Sequence, residues 1–322
     1  MNPTLALGID VGGTNTAFGF VDRRGQITHK GTIPTKGHLS IGLYIEALCE
    51  AIEPIIKEVG HRSVVGAGVG APNANFYTGE IAFAPNLPWE GIIPLSKLLK
   101  EALNMNVVIT NDANAAAIGE MTYGAAKGLN DFFMVTLGTG VGSGIVANGK
   151  LIYGHDGFAG ELGHMIAVRD GRICGCGRKG CLETYASVTG LVNTARQMAE
   201  NYTGNSTLKA VGKENITGKM IGDAARDGDE LAIEIFDYTA RKLGIGLANL
   251  VAITRPEAII LYGGMVKANE VLLVPTEKYM NEFMLHMWKG KVKLLKSTLP
   301  GPNAAIVGAA ALAAEEVSKG RK

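Results

Sequence analysis

Three of the four cysteines lie in one short stretch, "ELGHMIAVRDGRICGCGRKGCLE", residues 161–183. They are Cys174, Cys176 and Cys181, with His164 ten residues before the first. Three thiols and an imidazole are the donor set of a closed tetrahedral Zn²⁺ site, since soft thiolate and borderline imidazole both suit that ion. Glycines at 175, 177 and 180 let the backbone turn tightly enough for several sulfurs to reach one centre. Buried free thiols, or a strained Cys174–Cys176 redox pair, are the alternatives, and a Gly-rich hairpin makes a poor core segment for either. Four protein ligands leave no open coordination position, so the zinc is expected to be structural.

Glu161 and Glu183 bracket this group. His164 can bind the metal through one ring nitrogen and leave the other for a hydrogen bond. A rigid histidine between two carboxylates suits a ligand rich in hydroxyl groups, such as a sugar. The His-Glu-x-x-His helix of zinc proteases is absent, which argues against a zinc hydrolase.

These side chains need a scaffold, and the chain supplies a patterned one. Residues 4–11 form an apolar run followed by Gly12, Gly13 and Thr14, then alternating segments at 16–22 and 26–34. The pattern predicts an antiparallel meander. Its first turn offers backbone amides and the Thr14 hydroxyl to phosphate oxygens, with Asp10 placed to organise a hydrated Mg²⁺. A plain β-turn explains the glycines equally well. Apolar spacing predicts a helix over 39–59, kinked or split at Pro54. A strand over 63–72 and a Pro-rich loop follow, in which Asn86 is either a ligand contact or a turn residue. A helix near 95–104 leads to "VVITND", a strand running into Asn111 and Asp112 before an Ala-rich helix. Asp112 reads slightly better as the cap of that helix than as a catalytic carboxylate at a sheet edge.

The pattern then restarts. Residues 131–152 again read as strand, Gly-rich turn, strand, short turn, strand, and suggest duplicated halves facing each other across a cleft. Gly138, Thr139, Gly140 and Gly142 form a second phosphate-type turn. The Rossmann glycine spacing and a Walker lysine are both absent. Helices near 187–201, 217–226 and 228–253 precede a strand at 257–265. That strand ends in Gly263 and Gly264, which permit either close approach of a flat group such as adenine or a helix-entry turn. A strand at 291–298 and a small-residue helix at 303–317, suited to packing on a sheet, complete the chain.

Composition bounds the function. At 322 residues the chain is expected to form two domains or one large one. The balance of 31 basic against 30 acidic residues gives no electrostatic reason to expect nucleic acid or membrane as a partner. No secretory signal or bilayer-length apolar run is present, and zinc-type cysteines fit a reducing compartment, so the cytoplasm is expected. Cys49 falls on the apolar face of a helix and reads as core.

Taken together, "DVGGT", "ND", "LGTGVGSG", "GELGH", "CGCGRKGCLE" and "YGG", in this order, resemble the ROK family of sugar kinases and sugar-responsive repressors. The resemblance spans essentially the whole chain. It implies an α/β fold of duplicated actin–hexokinase-type (ribonuclease H-like) lobes with a ligand cleft between them. One lobe would hold residues 1–115 plus 303–322, and the other 116–302 with the zinc site. It implies Asp112 as general base and Asp10 at the Mg²⁺-phosphate. Gly12, Gly13, Thr14, Gly138, Thr139, Gly140, Gly263 and Gly264 would hold ATP. Asn86, Asn111, Glu161, His164 and Glu183 match the positions that hold sugar hydroxyls. A homodimer or homotetramer is expected. "CLETYAS" looks like the glucose-phosphorylating members, with N-acetylhexosamine or fructose kinases as alternatives. The repressors carry an N-terminal helix-turn-helix, whereas here the first strand is expected by about residue 4. One departure stands out: Pro72-Asn73 replaces the usual Pro-Gly in a loop near the sugar.

Overall fold

Strand β1 (Leu5–Val11) is apolar throughout, yet its two faces differ in size. Leu5, Leu7 and Ile9 are large and pack with Tyr44, Leu48 and Ile52 of helix α1 (Ile41–Val59). Ala6 and Gly8 are small, and the last helix of the chain lies directly on them. Any Cβ at Gly8 would fall 1.9 Å from the Ile306 carbonyl oxygen. That alternation is visible in a computed structural model of the chain, which describes residues 4–38, 40–299 and 303–320. Leu39, at the start of the predicted first helix, and residues 1–3 and 321–322, expected as the ends of the N-terminal lobe, lie outside the described residues.

The first sheet continues with β2 (Asn15–Asp22), β3 (Ile27–Pro34), β4 (Val64–Gly70) and, after the short hairpin β5 (Ile81–Ala82) and β6 (Ile92–Ile93), with β7 (Val107–Thr110). Its order is β3-β2-β1-β4-β7: an antiparallel meander, then parallel β4 and β7. Helix α2 (Leu95–Leu103) precedes β7, and α3 (Asp112–Tyr123) follows it. The second sheet repeats the plan. Strands β8 (Phe132–Leu137), β9 (Val141–Ala147) and β10 (Lys150–Leu151) form the meander, and β11 (Ala258–Tyr262) and β12 (Lys293–Lys296) add in parallel. Between β10 and β11 run α4 (Glu183–Ala186), α5 (Val188–Asn201), α6 (Thr207–Val211), α7 (Gly218–Arg226) and α8 (Glu230–Thr254). After β11 come α9 (Glu270–Phe283), β12 and α10 (Ala304–Lys319).

Helices α3 and α10 form the layer between the sheets. Ala116 and Ala117 of α3 pack on Phe132, Met134 and Ile260 of the second sheet. Helix α10 lies on the first, where a Cβ at Gly68 would meet the Ala309 carbonyl at 1.8 Å. The two helices cross in near-contact, since a Cβ at Gly308 would lie 1.7 Å from the Ala115 carbonyl oxygen. Such close approach demands glycine and alanine, which explains the small-residue composition of both.

The duplicated α/β architecture matches expectation, and the predicted boundaries move by only a few residues. Besides the short α4, α6 and β5–β6 hairpin, which the sequence pattern does not predict, two longer elements differ. Helix α1 is not split at Pro54; the proline is exposed, so the carbonyl it leaves unbonded faces water. Helix α9 was not anticipated, because Pro275 interrupts its pattern. It packs along α8, with Gly244 admitting Tyr279 and Met280.

Candidate active site and metal centre

Strands β4 and β7 are parallel neighbours whose last residues, Gly70 and Thr110, pair side by side. The next residues therefore emerge together at the carboxyl edge of the sheet, where ligand crevices form in α/β folds. Asn111 is extended (φ −60°, ψ 149°), and its Oδ1 accepts from the Ala113 N–H at 2.9 Å. It is the N-cap of α3, correcting the expectation that Asp112 fills that role. Both residue types cap well, and the extended backbone at 111 decides between them. The cap uses the Asn111 carbonyl oxygen and leaves its amide for donation. Asp112 becomes the first helical residue, with Oδ1 accepting from Ala113 N–H at 2.8 Å.

The Asp112 side chain is exposed where the crevice opens to solvent. Its surroundings push its pKa up from the usual carboxylate value, chiefly by desolvation, while the Ala113 N–H pulls the other way. Asp10, at the end of β1, is raised to about 7 by burial and then by the negative charge of Asp112. Two carboxylates thus face one crevice, where their mutual repulsion is costly without a cation.

A test follows from that cost. Asp10 holds its proton more tightly in the folded than in the unfolded chain, so folding stability is lost as pH rises from about 4 to about 7. Asp10→Asn removes the ionised form. It is expected to raise the melting temperature of the ligand-free protein by several degrees at pH 8 and to change it little at pH 4. An equal effect at both pH values would sink the assignment.

Glu161 is raised by burial, lowered by His164, and raised again by Asp112 and Glu183, so these four groups share one neighbourhood. Glu161 Oε2 lies 3.8 Å from His164 Nε2. The other ring nitrogen, Nδ1, faces Cys174 Sγ at 3.7 Å. Glu183 joins the cluster to the second glycine turn: its Oε2 accepts from Val141 N–H at 2.9 Å, and its Oε1 lies 3.8 Å from Cys174 Sγ. One of its oxygens is therefore already engaged by backbone.

The donor atoms of His164, Cys174, Cys176 and Cys181 all lie within 4.8 Å of one another. A tetrahedron with Zn–S bonds of about 2.3 Å has edges of about 3.8 Å. Cys176 and Cys181 are 3.6 Å apart and Cys174 and His164 3.7 Å, so the donors fit. The Arg178 backbone N–H, ahead of other contacts, brings Cys176 down to about 6, while burial pushes Cys174 up to about 12. Metal binding here must release protons.

The first glycine turn is closed by Gly12 N–H donating to Asn15 O at 3.0 Å. Gly13 packs on the Asn86 carbonyl, where a Cβ would lie 2.7 Å away. That contact brings the Thr14 turn and the exposed Asn86 loop together. In the second turn Gly138 N–H bonds Gly140 O at 3.0 Å, and the tip is tied to α5 through Val188 N–H to Gly138 O and Thr189 Oγ1 to Thr139 O. Gly263 (φ +118°) passes 2.3 Å, measured from an added Cβ, from the Leu137 carbonyl, and Gly264 begins a tight 3₁₀ turn. Side chains added at Gly138 or Gly264 would meet nothing within 4 Å, so open space lies above both.

Sequence reasoning missed Ser143, Asn75 and Arg172. Buried Ser143 donates to Gly160 O at 2.5 Å and accepts from Leu162 N–H at 3.4 Å, holding the segment that bears Glu161. Arg172 donates to Thr184 O and Gly190 O at 2.8 and 3.1 Å and lies over the Tyr185 ring. Its place within the cysteine stretch was the available signal.

Known proteins match this arrangement. The model of the ROK family aligns with residues 6–316. A glucokinase of Streptomyces coelicolor is 38% identical over 97% of this chain and 98% of its own. One from Halalkalibacterium halodurans is 35% identical over 96% and 94%. Among solved structures, a ROK family glucokinase from Streptomyces griseus in complex with glucose and AMPPNP superposes with a TM-score of 0.82 at 36% identity, covering 97% of this chain and 99% of the other. Glycine turns, crevice carboxylates and the His/Cys cluster thus sit in a fold shared over nearly the full length, and the chain belongs to the ROK family.

Proposed function

We propose that this protein transfers the γ-phosphoryl of ATP to glucose, giving glucose 6-phosphate, with Asp112 as general base. The observation that carries the reading is Asp112 itself: a desolvated carboxylate at the seam between two like lobes, with Glu161 and His164 beside it and a glycine turn in each lobe. The glucokinases it resembles, one of them seen with glucose and AMPPNP, support the substrate pair. The lobes are taken as 1–115 plus 303–322 and 116–302.

In this reading Asn86, Asn111, Glu161, His164 and Glu183 hold the sugar hydroxyls. Asp112 accepts the proton as the hydroxyl oxygen bonds to the γ-phosphorus and the bridging oxygen leaves with ADP. Most of the rate comes from alignment and charge neutralisation. Asp10 would hold hydrated Mg²⁺, which neutralises phosphate charge when bound. Gly12, Gly13 and Thr14 face the phosphates from one lobe, and Gly138, Thr139 and Gly140 from the other. The adenine lies over Gly263 and Gly264. His164, Cys174, Cys176 and Cys181 would hold a structural Zn²⁺ that would fix the His164 ring. No helix among the described residues is long and apolar enough to cross a membrane. In this proposal the enzyme is cytoplasmic and assembles as a homodimer or homotetramer.

The test is ADP release with MgATP over glucose, mannose, fructose, N-acetylglucosamine and N-acetylmannosamine. The highest kcat/KM is expected for glucose. Preference for an N-acetyl sugar would replace the substrate and keep the chemistry, whereas no turnover on any sugar by zinc-loaded protein would refute a kinase.

A further inference from the structure

The lobes also meet at a seam away from α3. Asn75, only 4% exposed, lies in the loop after β4. Its Oδ1 accepts from Tyr77 N–H and Thr78 N–H at 2.9 and 3.2 Å, an ordinary local turn. Its Nδ2 does something else, donating at 2.6 Å to the carbonyl of Asp156, 81 residues away in the loop after β10. Two aromatic contacts reinforce the junction. Phe76 stacks on Tyr153 at 4.1 Å and 10°, and the Tyr77 hydroxyl donates to Gly154 O at 3.2 Å. Gly157 (φ +91°) is shaped to this contact, since a Cβ there would lie 2.5 Å from Asn75 Oδ1.

The loop held this way runs straight into the sugar cluster. Asp156 is followed by Gly157, then by Ala159, whose N–H bonds Tyr153 O at 3.0 Å, then by Gly160, fixed by Ser143, and then by Glu161. The N-terminal lobe thus fixes one end of the segment and the second sheet the other.

We infer that Asn75 is a positioning residue for the sugar site, holding the 153–160 loop so that Glu161 and His164 stand over Asp112. The inference rests on the kinase reading for its consequence but not for its geometry. The bond to Asp156 is the part that matters, because the local turn needs only an acceptor. Asn75→Asp separates the two: a carboxylate still accepts from Tyr77 and Thr78 but sets a negative oxygen against the Asp156 carbonyl.

The experiment compares Asn75→Asp with wild type by steady-state kinetics and by amide hydrogen exchange. Glucose KM is expected to rise about tenfold, the scale of one buried hydrogen-bonding group left unpaired. kcat should change less than about threefold, and the KM for ATP should hold. Amides of Ala159, Leu162 and His164 should exchange faster while those of α8 are unchanged. An unchanged glucose KM, or unchanged exchange over 157–164, overturns the inference and leaves the kinase reading standing. Equal rises in both KM values overturn it too, since they mark general disorder. If wild type turns over no glucose, the kinase reading has failed and exchange alone decides this one. Should Asn75→Asp not fold, Tyr77→Phe removes only the exposed bond to Gly154; it must shift glucose KM and exchange in the same direction, by about twofold, or the inference falls.

Discussion

Asp112→Asn is expected to lower kcat by about 10²–10⁴-fold, the usual worth of general-base assistance, and to leave glucose affinity within a few-fold of wild type. The two halves of that result come from different atoms. The replacement keeps an oxygen to accept the Ala113 N–H at the start of α3, so the helix and the Asn111 cap stay in place. What disappears is a carboxylate able to take a proton. Desolvation makes that carboxylate more basic than one in water, which improves it as an acceptor near neutral pH. The same shift predicts the shape of the wild-type pH profile: kcat/KM should fall on the acid side at a pH above the ordinary carboxylate range, as Asp112 takes up its proton. The checks are single-turnover kinetics for the chemical step and calorimetry for sugar binding. Wild-type turnover in the variant would place the base elsewhere; loss of sugar binding in step with turnover would make Asp112 a binding residue instead.

Why the seam was only partly legible in the sequence follows from where the information lies. The strands announce themselves because each is buried on both faces and must be apolar, so β1, β4, β8 and β11 stand out. Their repetition made the duplication readable. The candidate metal cluster was readable because thiols and imidazole at that spacing have few other uses. Choices between adjacent residues were not. Asn111 and Asp112 are both good caps, and only the backbone angle at 111 tells them apart. Asn75 looks like any turn asparagine, because the carbonyl it reaches lies 81 residues on. The Pro72-Asn73 departure has a local answer. Asn73 adopts a left-handed conformation (φ 53°) that asparagine tolerates better than most side chains, and its amide donates to Ala82 O and Phe83 O. A glycine-like backbone is retained, and the loop is tied to the segment leading to Asn86.

Cys181→Ser, or stripping the metal with a chelator, is expected to raise glucose KM by about tenfold or more, and to lower the melting temperature by only a few degrees. The imbalance is the informative part. A small zinc module unfolds without its ion, because the ion supplies nearly all of its folding free energy. Here the loop has other restraints. Arg172 is bonded to carbonyls of α4 and α5 and to Gln197, Tyr185 Oη accepts from its backbone N–H at 2.9 Å, and Gly180 is tied to Arg172, Ala167 and Val168. Cys181 and Leu182 also pack into the second lobe's buried core. Fold and loop should therefore survive. What an ion held by these four residues would supply is the direction of the His164 ring, whose Nδ1 faces Cys174 and whose Nε2 faces Glu161. Freed of the metal, the partly exposed imidazole can rotate, and the sugar loses a fixed partner. Metal content by mass spectrometry should fall from one zinc per chain, in parallel with sugar affinity measured by calorimetry, while ATP binding is kept. Metal-free protein that binds glucose as tightly as the loaded form would show that the cluster stabilises the loop and plays no part in orienting His164.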